Sequence, residues 1–136
     1  DDTFRLNGLR GEAYLLKGEI SRALEAFKRA HFEQPKDLYA LLRIAWCFKR
    51  VDQIQLAIDT MKLAYQFHNG ESVVLYNMSC YYALAGDKDN ALSWLARSLR
   101  MDRKYLKDIP TETDFDSLRN DPDFLHLLEL TGNQSP

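Results

Sequence analysis

Apolar residues recur along this chain at helical spacing, and the whole arrangement returns every 34 residues. The stretch GEISRALEAFKRA, residues 18–30, returns as DQIQLAIDTMKLA, 52–64, and as GDKDNALSWLARS, 86–98. Five columns keep that period: Ala23, Ala57 and Ala91; Leu24, Ile58 and Leu92; Phe27, Met61 and Leu95; Tyr14, Phe48 and Tyr82; and the small set Gly11, Ala45 and Ser79. Large apolar side chains fill the space between helices, and small ones let two helices touch. A period of this length is the signature of a stacked array of helix pairs.

Helices are predicted over 3–16 and 19–33, 37–50 and 54–67, then 71–84 and 88–101. Lys17-Gly18 and Gly86-Asp87 make the turns inside pairs, Asn69-Gly70 breaks the chain between pairs, Pro35 ends the second helix and Asp37 caps the third. In the second helices, Ser21, Arg22, Glu25 and Arg29, and later Asp89, Asn90, Ser93 and Arg97, mark a solvated face. Asn7 and Arg10 are polar where an inner helix would be apolar, as a terminal unit facing water requires.

After residue 102 the pattern changes. One or two helical turns over 103–108 meet Pro110. Thr113-x-x-Asp116 forms a capping box for a short helix through Arg119. Asp121-Pro122 opens a last helix over 123–130. Phe115, Leu118, Phe124, Leu127 and Leu128 give this segment an apolar face, expected to fold back on the third pair and close the array. The basic strip Arg97, Arg100, Lys104 and Lys107 is expected to help through the acidic run that follows it.

These columns resemble the tetratricopeptide repeat (TPR): Gly11, Tyr14, Ala23, Phe27 and Pro35 in the first unit; Leu41, Ile44, Ala45, Phe48, Ala57, Met61 and Ala64 in the second; Leu75, Met78, Ser79, Tyr82, Gly86, Ala91 and Leu95 in the third. Asn7 and Arg10, the non-proline residues Asn69 and Arg103, and Asp52 in place of a turn glycine depart from the pattern. The resemblance implies an all-α, right-handed helical-hairpin solenoid of three units, about 4–37, 38–71 and 72–105. The run DFDSLRNDPDFLHLLEL resembles the capping helices that follow the last repeat in many bacterial members. The whole, 1–136, is expected to be one domain, with 106–136 as helical cap and tail. Because the chain starts at Asp1, an excised domain or trimmed piece is expected.

Composition adds limits rather than a function. Residues 1–70 carry 11 basic and 9 acidic side chains, and residues 71–136 carry 7 and 11, for a total of −2. That balance lacks the basic bias of a nucleic-acid binder. No stretch approaches the ~20 apolar residues of a membrane span. Cys47 and Cys80 have no metal-ligand spacing and are expected to be two thiols in a reducing compartment, which points to the cytoplasm. His31, His68 and His126 are solitary, no phosphate loop or nucleophile motif is present, and the acidic run from Asp108 to Asp123 lacks the spacing of a calcium loop. The chain is expected to be no enzyme and to need no cofactor or metal.

The remaining signal lies in residues the core does not want. On the third helix Tyr39, Arg43, Trp46 and Arg50 point away from Leu41, Ile44, Ala45 and Phe48. In the TPR family the first helix of each pair lines a concave surface. The matching stripes are Arg5, Leu9, Glu12 and Leu16 on the first helix, and Val73, Asn77, Cys80 and Leu84, flanked by Tyr76, on the fifth. The expected peptide-binding set is Tyr39, Arg43, Trp46, Lys49, Arg50, Tyr76, Asn77 and Cys80. Its ligand would be a segment of another protein with an apolar or aromatic anchor beside acidic residues. The family's carboxylate clamp for chaperone C-termini is excluded, because its positions fall on Gly8, Glu12, Arg43, Val73 and Asn77, none of which carries the required residue. The alternative is an assembly element that associates with itself through its edges or through Leu56 and Leu63.

Overall fold

The computed structural model describes residues 2–132. Seven α-helices run through them: α1 (Asp2–Leu16), α2 (Ile20–Glu33), α3 (Leu38–Arg50), α4 (Ile54–Phe67), α5 (Ser72–Leu84), α6 (Lys88–Met101) and α7 (Pro122–Gly132). Three short 3₁₀ helices, η1 (Arg103–Lys107), η2 (Ile109–Thr111) and η3 (Thr113–Leu118), lie between α6 and α7. The chain divides into two compact units, one ending at His68 and one beginning at Asn69. No described helix is long and apolar enough to cross a membrane.

The first unit is two helix hairpins, α1–α2 and α3–α4, with α3 also packed on α2. Ala23, Leu24, Phe27, Ile44 and Cys47 form its core, and Tyr14, Leu15, Ile20, Trp46 and Phe48 close around them half-buried. The small column works as expected at Gly11, where a Cβ would stand 2.5 Å from two atoms of the Phe27 ring. Phe27 is wholly buried and cannot step aside, so only glycine admits the ring. The turns inside the hairpins need a left-handed residue. Gly18 supplies it at φ 75°, and Asp52 adopts it at φ 61° one period later. Aspartate tolerates this region better than most side chains, though less well than glycine. Asp37 caps α3 by accepting from the Ala40 amide at 2.9 Å.

In the second unit α5 and α6 form the third hairpin, turned at Gly86 with φ 78°. Asp87 caps α6 by accepting from the Asn90 amide at 3.1 Å. Trp94 on α6 carries the Arg97 guanidinium over its ring, 4.1 Å from the centroid. The closing segment folds back with its apolar face inward, as its pattern predicts. η3 packs on α5, while η1 and α7 pack on α6. Tyr105 stacks on Tyr76 with centroids 4.4 Å apart, Phe115 meets Tyr76 edge-on at 6.0 Å, and Phe124 lies 5.6 Å from Phe115. Phe115 and Phe124 are almost wholly buried.

The polar ties of that segment differ from expectation. Glu112, rather than Thr113, caps η3 by accepting from the Asp114 amide at 3.2 Å, because the segment is too tightly wound for a capping box. Lys88, which is not part of the basic strip, pairs with the start of α7, at 2.8 Å from Asp121 and 2.7 Å from Asp123. Arg119 donates to the Ile109 and Glu112 carbonyls at 2.7 and 2.6 Å, clamping η2 to η3. Asp121 caps α7 as expected, accepting from the Asp123 and Phe124 amides.

The second helices begin at residues 20, 54, 88 and 122, a constant step of 34. The closing segment therefore keeps the position of a fourth second helix in α7. The helix that should precede it is replaced by η1–η3, where Pro110 at the start of η2 removes a backbone donor.

Candidate functional site

The first unit brings one group of the expected residues together. Glu12 of α1 reaches Tyr39 and Arg43 of α3, so the stripes read on those two helices do share a face. The pairing is a fork: Arg43 Nε lies 2.8 Å from Glu12 Oε2, and Arg43 Nη2 donates to Oε1 at 3.2 Å. The Tyr39 hydroxyl donates to the same carboxylate. Tyr39 is half in contact with the unit, edge-on to Phe27 at 6.0 Å and against Gly8. Burial, with Glu12 beside it, holds the Tyr39 hydroxyl above the ordinary tyrosine range.

Arg43, expected in the peptide-binding set, thus already has a carboxylate partner. Its carboxylate is supplied from within the unit by Glu12, a residue placed on the right stripe but given no role. The signal was available: Glu12 and Arg43 fall on matching stripes of adjacent first helices, and opposite charges there attract.

Trp46 lies half-buried against the core. Its outer side is covered by Arg50, whose guanidinium sits 5.0 Å from the ring centroid. Such a pair suits a site where one aromatic face is used and a cation edges it. Lys49, on the same helix, is half-exposed. Around these residues α1 leaves Leu9 and Leu16 exposed, at 57% and 90%, and α3 leaves Tyr39 at 41%. Cys47, on the inner side, has its thiol pushed up to about 11 by burial, so it stays protonated and unreactive.

In the second unit the expected residues are not available to a ligand. Tyr76 is 6% exposed and Cys80 2%, and only Asn77 is partly open. The physical reason is the closing segment, whose Tyr105 and Phe115 rings pack on Tyr76. The Tyr76 hydroxyl is buried near the Cys80 thiol without a full hydrogen bond. Desolvation accordingly drives its pKa far up. Cys47 and Cys80 are both buried and unbridged.

No protein-family model matches the chain, and no curated protein shows significant sequence similarity to it. Solved structures do resemble it in fold. A crystal structure of MamA aligns with a TM-score of 0.78 at 18% identity, over 96% of this chain and 72% of that one. The type III secretion translocator chaperone SycD of Yersinia enterocolitica, described as an alternative dimer, aligns at 0.74 and 14%, over 98% and 97%. YrrB, described as a TPR protein with an unusual peptide-binding site, aligns at 0.70 and 17%, over 89% and 63%. The chain thus has the tetratricopeptide-repeat fold, built of three helix hairpins and a helical closing segment.

Proposed function

We propose that this chain is a protein–protein interaction module that holds a segment of a partner protein on the face shared by α1 and α3. The observation that carries the reading is the Trp46–Arg50 pair beside exposed Tyr39 and Leu9, on helices whose other sides are fixed in the core. Aromatic and arginine side chains on a rigid support are the residue types enriched among binding hot spots. YrrB, similar in fold, is described by its peptide-binding site, which favours this use of the fold over an enzymatic one.

The ligand we infer has an apolar or aromatic anchor for Trp46, with an acidic residue placed for Arg50 rather than for Arg43. Lys49 stays within the proposed set as a flanking polar contact, whereas Asn77, Tyr76 and Cys80 of the second unit leave it. The 34-residue period runs through residues 68 and 69 without a change of register, which supports treating 1–136 as one domain. Two buried, unbridged thiols support a reducing, cytoplasmic setting.

The test takes a partner recovered by pull-down and measures its affinity by calorimetry. Trp46→Ala should cost about 2 kcal/mol or more. Arg50→Glu should also weaken binding, and so should raised salt. If Trp46→Ala binds like the parent, this face is not the site. The assembly reading, favoured by Leu56 at 43% exposure on α4, would then take its place. Light scattering that shows self-association by the parent and its loss in Leu56→Glu would support that reading.

A further inference from the structure

The face of α2 expected to be merely solvated carries a built feature. An open cleft of about 480 Å³ runs between α1 and α2, within the range of ligand-sized pockets. Arg10 and Tyr14 of α1 line one side, and Ser21, Arg22, Glu25 and Arg29 of α2 line the other. Arg10 and Glu12 are two positions apart on α1, so they project about 200° apart around the helix. The cleft is therefore separate from the face that holds Trp46.

Three guanidinium groups share this cleft with one carboxylate. That carboxylate, Glu25, is turned to Lys28 at 3.5 Å, and Arg22 leans on Glu19 at 3.6 Å. Among the described residues Arg10 and Arg29 have no carboxylate partner. Arginines gathered around a concavity whose one carboxylate is turned to a lysine repel one another less once an anion joins them. Their planar forks fit the oxygens of phosphate or carboxylate, two at a time. Tyr14 gives the cleft an aromatic wall and Ser21 a hydroxyl donor. The opening admits a side chain of an extended segment, and two unpaired guanidiniums match a group of two negative charges.

We propose that this cleft binds a polypeptide segment bearing a doubly charged anionic group, either a phosphorylated serine or threonine or two adjacent carboxylates. The polarity of Arg10 is then a recognition feature and not only an adaptation of a terminal helix to water. The site is independent of the Trp46 face and can be gained or lost without it.

The experiment titrates the full chain by fluorescence anisotropy with three labelled peptides of one sequence. They carry serine, phosphoserine, or a glutamate pair at the central position. The phosphoserine or the glutamate-pair peptide should bind and the serine peptide should not, and which of the two binds tighter identifies the natural group. Arg10→Glu/Arg29→Glu should weaken that binding by about tenfold or more, as loss of charge-assisted bonds does. Arg100→Glu/Lys107→Glu, exposed, outside the cleft and with the same change of charge, should leave it unchanged. Circular dichroism melts show that the variants remain folded.

Three results overturn the proposal. One is phosphopeptide binding that is unaltered in Arg10→Glu/Arg29→Glu. Another is full displacement of the peptide by an equal concentration of inorganic phosphate, which makes the cleft a small-anion site. The third is concentration-dependent mass growth of the chain alone, abolished by the same variant, which makes a second copy the occupant.

Discussion

The first helix of the first unit and the first helix of the second meet one physical problem in opposite ways. Both α1 and α5 belong to hairpins whose exposed side would leave apolar surface in water. α1 answers by being sparing: it buries only Asn7, Gly8 and Gly11, and leaves Leu6, Leu9 and Leu16 in solvent among charged neighbours. α5 answers by being covered. It buries eight of its thirteen residues, and its Tyr76 lies under rings delivered by η1 and η3. The same repeat can thus be ended by polarity or by a lid. The choice decides where binding surface survives: the sparing helix keeps a usable face, and the covered one gives it up.

Substitutions that attack each solution should separate them sharply. Phe115→Ala empties a wholly buried position between Tyr76 and Phe124 and is expected to cost about 3–5 kcal/mol in urea unfolding. The counterpart Leu9→Ala, at 57% exposure, should stay within about 0.5 kcal/mol of the parent. Equal effects would break the comparison. Next in size are two overpacking changes in the first unit, Gly11→Val against the Phe27 ring and Ala57→Leu at a fully buried column position. Each is expected to cost about 1–3 kcal/mol in the same assay. Their failure to destabilise would mean that the Gly11 and Ala57 columns are not helix contacts.

A smaller effect has the opposite sign. Asp52→Gly relieves a left-handed aspartate at the position where the other hairpins carry glycine, and should raise the unfolding midpoint by an amount worth up to about 1 kcal/mol. The smallest expected effect is acidic loosening of the second unit. The hydrogen bond from Lys88 holds the Asp121 carboxyl below its ordinary value, and the bonds from Asn90 do the same for Asp87. A carboxyl depressed by folding stabilises above its ordinary value of 3.8 and loses that contribution as the pH falls through the folded value. A pH titration followed by amide exchange should show α7 opening at higher pH in Lys88→Met than in the parent.

Helix positions were almost fully legible, because the 34-residue period constrains each element by its copies. The predicted 54–67 and 88–101 coincide with α4 and α6, and Asp37 and Asp121 cap the helices they were expected to cap. The closing segment was legible in its burial but not in its winding, because it has no copy to average with. Pro110 and the short apolar spacing there suit 3₁₀ turns as well as α. The candidate site was half legible. Periodicity puts Tyr39, Arg43 and Trp46 on one helix, but it cannot say that Glu12 neutralises Arg43 from another. Nor can it show that Tyr105 and Phe115, distant in sequence, bury Tyr76. Pairings across elements are set by packing, which no single-helix pattern records.

The two tryptophans, each with an arginine over its ring, make the chain its own optical instrument. Trp46 lies in the first unit and Trp94 in the second, and the sequence holds no third indole. A Trp94→Phe protein therefore emits from the first unit alone, and a Trp46→Phe protein from the second alone. Guanidinium contact and partial burial both colour the emission, so unfolding of either unit should shift its spectrum. Two emission curves that superimpose across denaturant would establish one cooperative domain, and two that part would measure how far each unit stands by itself.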